Sequence, residues 1–483
     1  MLEVNLQELA DSIDSLDFSC ASLPSISCWL NMKPRATRAS ALRGNSSISS
    51  RREPFICQQC LQWSSRFIPS FFTASPRRHQ SGFEAAVAAA KEIFNNGTPQ
   101  SKPPISVDPL KAVAKELKFL TNNIRELIGS GHPTLDRVAK YYTQSEGKYV
   151  RPTLVLLMSR ATAFAPKTKR EIVSQTQSAI NTPITSPSSL LSDSNPSASE
   201  YAPLTATDEA AYASEDSDIL PSQRRLAEIT ELIHTASLLH DDVIDRSLAR
   251  RSAPSANIAF GNKMAVLAGD FLLGRASVAL ARLRDPEVTE LLATVIANLV
   301  EGEFMQLKNT ASDAPNPVWT KDTLSYYLQK TYLKSASLIS KSCRAAALLG
   351  QSAPAVVDAA YLYGKNLGLA FQLVDDMLDY TISGEELGKP AGADLELGLA
   401  TAPLLFAWEQ NPDLGALVGR KFSGEGDVQR ARNIVLESDG LEQTRALAQS
   451  YVDRAVDAIQ GFPDSEAKGG LIEMCNKVMK RRK

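Results

Sequence analysis

The chain has 483 residues, and its 52 lysines and arginines are balanced by 54 aspartates and glutamates, for a net charge of −2 at pH 7. Because nucleic-acid-binding domains are usually strongly basic, this balance argues against nucleic acid as a partner. Six scattered cysteines are too few for a disulfide framework and indicate a reducing compartment. The sequence contains no run of eighteen apolar residues, so it predicts no membrane-spanning helix, and we expect any membrane contact to be peripheral.

The first 107 residues differ in character from the rest of the chain. Residues 1–31 contain acids but no lysine or arginine, whereas residues 32–82 are rich in arginine and serine, with Glu53 as their single acid. The second composition is typical of mitochondrial targeting segments. We predict a targeting segment over residues 32–82, with translation starting at Met32 or residues 1–31 being a gene-model extension. We expect residues 83–107 to form a linker, and the mature protein to lie in the mitochondrial matrix, at or near the inner membrane.

Helical periodicity dominates from residue 108 to the C-terminus. Apolar residues recur at intervals of three and four, and strand signals are weak, so the fold class predicted is all-α, a single large helical bundle. Residues 165–221 break this pattern because serine, threonine, proline and asparagine dominate there. Such a segment buries too little apolar surface to offset the entropy of ordering it, which predicts a disordered insertion. The basic C-terminus, residues 480–483, is predicted to be a solvated tail.

Several basic residues are placed to bind phosphate. Lys148 and Arg151 are three residues apart, so on a helical turn both can contact one anion. Arg250 and Arg251 form an adjacent pair, and guanidinium groups match phosphate oxygens in geometry. Lys389 lies in a glycine-containing loop, where the backbone can approach a phosphate closely.

Two aspartate motifs organise the sequence. The first aspartate block comprises Asp241, Asp242 and Asp245, and the second comprises Asp375, Asp376 and Asp379. Both read D-D-x-x-D, and residues four apart on a helix lie on the same face, so each block stacks its outer carboxylates. Their mutual repulsion calls for a cation, and Mg²⁺ prefers one or two carboxylates together with waters and substrate phosphates. We predict that the two blocks face each other and bind a diphosphate through Mg²⁺, with Mn²⁺ as a substitute.

These motifs resemble those of the trans-isoprenyl diphosphate synthase family. Within it the chain looks most like the mitochondrial long-chain synthases, hexaprenyl to decaprenyl, of ubiquinone biosynthesis. The resemblance covers residues 108–164 and 222–483, and it also includes Lys330-Thr331 and Phe371-Gln372. It implies a helical bundle around a deep central cavity, Mg²⁺ dependence, and assembly as a homodimer or heteromer.

The resemblance also implies a role for each charged residue. The metal ligands would be the six aspartates of the two blocks, with Asp241, Asp245 and Asp375 as the principal ones. Isopentenyl diphosphate would be bound by Lys148, Arg151, His234 and Arg251. The allylic diphosphate, farnesyl or geranylgeranyl, would be bound by Arg250, Lys330, Thr331, Gln372 and Lys389. Lys330 and Lys389 would also take part in catalysis. His234 lies two helical turns before Asp241, which suits a shared cavity.

The implied reaction is a head-to-tail condensation. Cations stabilise the departing diphosphate, the isopentenyl double bond attacks the resulting allylic carbocation, and loss of a proton restores an alkene. Water would quench the carbocation, so the cavity has to be dry and apolar. Short-chain members of the family commonly have aromatic rings where this sequence has Ala236 and Ser237, five and four residues before Asp241. These small side chains predict long products.

Some residues depart from the family pattern. Glu146 and Ser252 stand where glycine is common, and Tyr149 stands where a basic residue is common. None of these removes a charge with an assigned role, so they bear on rate or regulation.

The alternative functions are a terpene cyclase or head-to-head synthase, a shorter-chain (geranylgeranyl) synthase, and a non-catalytic subunit of a heteromeric synthase. The predicted isopentenyl diphosphate site argues against a cyclase, and two complete aspartate blocks argue against a non-catalytic subunit.

Overall fold

Helices make up nearly all the regular structure of this computed structural model, which describes residues 108–144, 149–169, 218–251, 253–308, 316–381 and 392–481. These residues belong to one compact unit. The predicted targeting segment, the linker and most of the predicted insertion, residues 170–217, lie outside the described residues.

The prediction of an all-α fold is confirmed. The α-helices in chain order are α1 (Pro109–Ala112), α2 (Ala114–Leu127), α3 (Pro133–Ala139), α4 (Tyr141–Gln144), α5 (Val150–Ala161), α6 (Pro221–Ile244), α7 (Ala256–Phe260), α8 (Asn262–Arg282), α9 (Pro286–Gln306), α10 (Lys321–Thr331), α11 (Ser337–Leu349), α12 (Pro354–Thr381), α13 (Ala393–Glu396), α14 (Ala402–Gln410), α15 (Leu414–Gly419), α16 (Asp427–Glu437), α17 (Gly440–Ala458) and α18 (Glu466–Met479). A π-helical segment, Tyr332–Ala336, joins α10 to α11. Two short strands, β1 (Ala249–Arg250) and β2 (Ala253–Pro254), form an antiparallel hairpin after α6.

Helix α6 carries the first aspartate block at its C-terminal end. It begins at Pro221, a residue suited to the first helical position because its missing N–H would have no partner there. Leu226, Ile229, Ile233 and Ala236 recur every three or four residues and are fully buried. This face packs against α5, α8 and α11. The aspartates are therefore held at the end of a helix that is fixed in the core.

Helix α12 carries the second aspartate block, and two glycines bring it very close to its neighbour. A Cβ atom on Gly368 would lie 2.6 Å from the Cα of Ala336, and one on Gly364 would lie 2.7 Å from the Cα of Ser340. Both distances are below any normal van der Waals contact, so the close approach requires glycine. The second aspartate block is thereby packed beside the π-helical segment and α11.

The π-helical segment interrupts an otherwise continuous helix between α10 and α11. A π turn has a wider hydrogen-bonding pattern than an α turn and often marks a functional site. Lys334 and Ser335 lie within it. Because the segment changes the rotation of the side chains along the helix, their directions do not follow from simple helical periodicity.

Helix α8 is, by length and composition alone, apolar enough to cross a membrane. The core helix of a bundle meets the same criterion, and α8 packs along α6. The prediction that the protein has no membrane-spanning helix stays a prediction.

We expect Gly368→Ala to destabilise the protein by about 1–3 kcal/mol, because the added methyl must push α12 away from Ala336. Gly274→Ala in α8 is the matched control: a Cβ there meets no atom within 4 Å, so alanine should stabilise by about 0.5–1 kcal/mol. Urea denaturation of the full chain measures both. Equal effects of the two substitutions would contradict the close-packing argument.

Candidate active site

The outer carboxylates of the first aspartate block are charged groups held in a partly buried position. Asp241 and Asp245 are partly exposed. Burial raises the pKa of Asp241 to about 6 and also raises the pKa of Asp245. For both groups the nearby positive charge of Lys334 acts in the opposite direction, and the negative charge of Glu303 adds to the rise. Lys334 Nζ lies 2.5 Å from Glu303 Oε2, so α6, α9 and the π-helical segment meet at this point.

The middle carboxylate of the first aspartate block is bound on all sides by protein. Asp242 is fully buried. Arg250 donates to its Oδ1 through Nη2 at 2.7 Å and through Nε at 2.9 Å, and the Tyr142 hydroxyl donates to Oδ2. Asp242, predicted as a metal ligand, and Arg250, predicted to bind the allylic diphosphate, are therefore engaged with each other.

The second aspartate block repeats this division. Asp375 and Asp379 are partly exposed, whereas Asp376 is 3% exposed. The Tyr327 hydroxyl donates to Asp376 Oδ2 at 2.5 Å, and Gln372 Nε2 donates to Oδ1 at 2.8 Å. Burial raises the pKa of Asp376 to about 6, while these hydrogen bonds act in the opposite direction.

Two consecutive residues of the π-helical segment connect the two blocks. Lys334 acts electrostatically on Asp241 of the first block. Its neighbour Ser335 donates through Oγ to Gln372 Oε1 at 2.7 Å, and Gln372 in turn donates to Asp376 of the second block. Both aspartate blocks therefore lie against the same short segment. That the blocks face each other across a shared diphosphate site stays a prediction.

The predicted isopentenyl diphosphate site contains a pair formed by Arg151 and His234. Arg151 Nη1 and His234 Nε2 are 2.9 Å apart. Burial and the charges of Arg151 and Arg251 lower the pKa of His234 well below its ordinary value, so the imidazole is neutral and its Nε2 accepts the hydrogen bond. Arg151 Nε is buried and has no hydrogen-bond partner among the described residues, which leaves a donor for an anion. Lys148 lies outside the described residues.

Arg251 reaches this region from the hairpin. Its Nη1 donates to the Tyr142 carbonyl at 3.2 Å. Arg251 occupies the hairpin turn with φ of 53°. This left-handed conformation is common for glycine but rare for other residues, apart from asparagine and aspartate. The surrounding contacts hold it there.

The residues predicted to bind the allylic diphosphate are spread over different positions. Lys330 is buried beside Asp376, with Nζ 5.2 Å from the Tyr327 ring centroid. Burial lowers its pKa, and the charge of Asp376 acts in the opposite direction. Thr331 is also buried and hydrogen-bonds Tyr327. Lys330 and Thr331 therefore both lie in the interior next to the second aspartate block. Gln372 links Ser335 to Asp376. Lys389 lies outside the described residues.

The two residues predicted to control product length differ in burial. Ser237 is partly exposed, and it lies four residues before Asp241 and hence on the same helix face. Its hydroxyl donates to the His234 carbonyl at 2.9 Å. Ala236 is fully buried in the core.

Sequence reasoning missed Lys334, Ser335, Glu303 and Arg481. Lys334-Ser335 repeats the pairing of a lysine with a hydroxyl that singled out Lys330-Thr331, so the signal was present in the sequence. Arg481 corrects the prediction of a solvated tail. Its Nη1 lies 3.0 Å from Asp375 Oδ1, and its guanidinium stacks 4.5 Å from the centroid of the Phe371 ring. The C-terminus therefore reaches the second aspartate block.

The arrangement of carboxylates fits Mg²⁺. No group of three or more histidine, cysteine or acidic side chains within the described ranges is close enough to hold a metal ion alone. Each block instead offers two partly exposed carboxylates, at Asp241 and Asp245 and at Asp375 and Asp379. Mg²⁺ typically binds one or two carboxylates and keeps its other positions for waters and phosphates. Mn²⁺ accepts the same oxygen ligands.

Comparison with known proteins gives consistent relatives. The family model "Polyprenyl synthetase" matches residues 202–435. A Neurospora crassa protein named "Probable hexaprenyl pyrophosphate synthase, mitochondrial" is 67% identical over 418 residues, covering 85% of this chain and 91% of its own length. A Schizosaccharomyces pombe protein, "Decaprenyl-diphosphate synthase subunit 1", is 47% identical over 371 residues, covering 77% of this chain and 90% of its own. The crystal structure of a Caulobacter crescentus polyprenyl synthase with calcium and isoprenyl diphosphate matches 80% of this chain and 100% of that one, with 28% identity and a TM-score of 0.61.

Glu231 is a buried acid beside the predicted isopentenyl diphosphate site. Burial raises its pKa to about 7, although the charges of Arg151 and Arg251 act in the opposite direction. A glutamate in an unfolded chain ionises near pH 4.3. Between these values the unfolded chain has released the proton while the folded protein still holds it, so rising pH lowers the stability of the fold.

We therefore expect wild type to lose stability relative to Glu231→Gln as pH rises from about 4.5 to about 7, with no further relative change above that. Urea denaturation of both proteins across this range measures the difference in the free energy of unfolding. Using the difference cancels the titration of all other groups. Parallel stability curves would contradict the raised pKa.

Proposed function

Because this chain belongs to the polyprenyl synthetase family, we propose that it is a mitochondrial long-chain trans-polyprenyl diphosphate synthase. The observation that supports the proposal is that Lys334 acts on Asp241 of the first block while its neighbour Ser335 hydrogen-bonds Gln372, the partner of Asp376 in the second block. The relatives named hexaprenyl and decaprenyl synthases support long products, which would serve as the ubiquinone side-chain precursor.

The reaction is the condensation of isopentenyl diphosphate onto an allylic diphosphate, farnesyl or geranylgeranyl. The allylic C–O bond breaks and diphosphate leaves with the electron pair. The isopentenyl double bond then attacks the allylic cation, and a proton is lost to form the new alkene. Because the charge that builds up on the leaving diphosphate is negative, prepositioned cations at its oxygens lower the barrier.

The partly exposed carboxylates Asp241, Asp245, Asp375 and Asp379 would hold Mg²⁺. When bound, Mg²⁺ supplies positive charge that neutralises the diphosphate oxygens. The raised pKa values of Asp241 and Asp245 support this role, because these carboxylates are ionised at a cost that a cation would offset.

Cationic side chains would bind and orient the two diphosphates. Lys334 is placed for the allylic diphosphate, since its charge already acts on Asp241 and Asp245. Lys330, Thr331, Gln372, Arg250 and Lys389 are proposed to support this site. Arg151 offers its unpartnered Nε to isopentenyl diphosphate, together with Lys148, Arg251 and the neutral His234. Arg481, whose Nη1 lies 3.0 Å from Asp375 Oδ1, adds a positive charge next to the second aspartate block.

The names of the relatives bear on localisation and assembly. The word "mitochondrial" in the name of the Neurospora relative agrees with the arginine-rich and serine-rich segment 32–82. The word "subunit 1" in the Schizosaccharomyces name supports a heteromer for that protein, and we propose a homodimer or a heteromer for this chain. We propose that contact with the inner membrane is peripheral, as a long apolar product favours.

The purified full chain, given Mg²⁺, an allylic diphosphate and labelled isopentenyl diphosphate, should yield long polyprenyl products on reversed-phase chromatography. Asp241→Asn should lower kcat about 10²-fold or more, because it removes a charge at the diphosphate site. Asp464→Asn is the control, since that side chain is 99% exposed and should leave kcat unchanged. Diphosphate release without isopentenyl diphosphate would favour a cyclase. Activity that requires a second subunit would favour the non-catalytic alternative.

Ser237→Phe should shorten the products, because an aromatic ring four residues before Asp241 would obstruct the path of the growing chain. Ala236→Phe is the comparison variant. Its ring would have to displace core neighbours, so shortening by that route should come with a lower melting temperature. Chromatography of the labelled products and thermal unfolding separate the two effects. An unchanged product length in both variants would overturn the assignment of these residues.

A further inference from the structure

Two short segments far apart in the chain have the same sequence pattern, Tyr-Tyr-x-Gln, at residues 141–144 and 326–329. In both segments the second tyrosine donates a hydrogen bond to the middle aspartate of an aspartate block. Tyr142 donates to Asp242, and Tyr327 donates to Asp376. The first tyrosine of each pair donates to a backbone carbonyl instead.

At the first block, the Tyr142 hydroxyl joins three separate pieces of chain. It donates to Asp242 at the end of α6 and accepts a hydrogen bond from the Ala256 backbone N–H at the start of α7, at 2.8 Å. Arg250 of the hairpin engages both Asp242 oxygens, through Nε at 2.9 Å to Oδ1 and 3.0 Å to Oδ2. The Tyr142 carbonyl also accepts from Arg251 at 3.2 Å. The buried carboxylate is thus fully satisfied by protein donors.

At the second block, Tyr327 of α10 and Asp376 of α12 form the equivalent contact. The tyrosine donates at 2.5 Å, and Gln372 donates to the other carboxylate oxygen at 2.8 Å. Lys330, one turn after Tyr327, acts on Asp376 through its charge, whereas Arg250 at the first block hydrogen-bonds Asp242 directly. Each block therefore has a buried tyrosine–aspartate pair with a cationic side chain nearby, Arg250 at the first block and Lys330 at the second.

The middle and outer aspartates of each block differ in burial. The middle aspartates are 0% and 3% exposed, at Asp242 and Asp376, while both outer aspartates of each block are partly exposed. A buried carboxylate that loses a donor pays a desolvation penalty, which favours a different side-chain orientation that restores a partner. Because the three aspartates of a block share one helical turn, a turn of the middle one also disturbs its neighbours.

We propose that Tyr142 and Tyr327 are positioning residues that hold Asp242 and Asp376 as anchors between helices, so that only the outer aspartates bind metal. This inference rests on the proposed function, since the metal and diphosphate are those of the synthase. The tyrosines act through the aspartates and do not contact the substrates. Groups that orient metal ligands typically contribute about 10–100-fold to metal affinity.

The test uses Tyr142→Phe and Tyr327→Phe in the full chain. The matched controls are the preceding residues, Tyr141→Phe and Tyr326→Phe, whose hydroxyls donate to the carbonyls of Pro254 at 2.9 Å and Met305 at 3.1 Å. Calorimetric titration of Mg²⁺ in the presence of inorganic diphosphate reads affinity without turnover. We expect a loss of about tenfold or more in the two test variants and wild-type affinity in the two controls. Wild-type affinity in both test variants overturns the proposal.

A double-mutant cycle tests whether each tyrosine acts through its aspartate. If Asp242 acts through Tyr142, the double variant Tyr142→Phe with Asp242→Asn should bind no more weakly than Asp242→Asn alone. The pair Tyr327→Phe and Asp376→Asn gives an independent cycle if the first does not fold. Additive losses in both cycles would show that the tyrosines act independently of the middle aspartates, which contradicts the proposal. Wild type that binds Mg²⁺ and diphosphate but makes no polyprenyl product would contradict the proposed function while leaving the cycles interpretable.

Discussion

The need to satisfy two buried carboxylates shapes the centre of this protein. Asp242 and Asp376 lie in the interior, where an ionised carboxylate without donors would be strongly destabilising. Each obtains one donor from a segment distant in sequence, Tyr142 for Asp242 and Tyr327 for Asp376, and another from nearby in the chain, Arg250 and Gln372. These hydrogen bonds fix α4 and the hairpin against α6, and α10 against α12.

Close packing then brings the two halves of the site together. Gly364 and Gly368 let α12 approach α11 and the π-helical segment to a distance that no larger residue permits. In the π-helical segment, Lys334 acts on the first block while Ser335 reaches Gln372 beside the second. A site that depends on two aspartate-bearing helices is therefore built on rigid elements, which is what precise positioning of a diphosphate requires.

The chemistry depends on a division between satisfied and unsatisfied charge. The middle aspartates are hydrogen-bonded by protein donors, whereas burial and the nearby Glu303 raise the pKa of Asp241. On the other side, Arg151 keeps an unused buried donor, and His234 is kept neutral. In the proposed function, a metal-bound diphosphate would supply a cation to the outer carboxylates and an anion to Arg151.

The sequence by itself determined the helical fold, the two aspartate blocks and the small side chain of Ser237 on the Asp241 face, because helical periodicity and residue spacing are local properties. It also predicted that the blocks meet, which rested on the chemistry of repelling carboxylates. Only the tertiary structure decided that Arg250 engages Asp242, that Lys334 lies at the first block while Lys330 is buried beside Asp376, and that Arg481 returns to Asp375. These contacts join residues far apart in the chain, follow a hairpin turn that redirects Arg250, or lie in or next to a π-helical segment, where counting residues along a regular helix no longer gives the direction of a side chain.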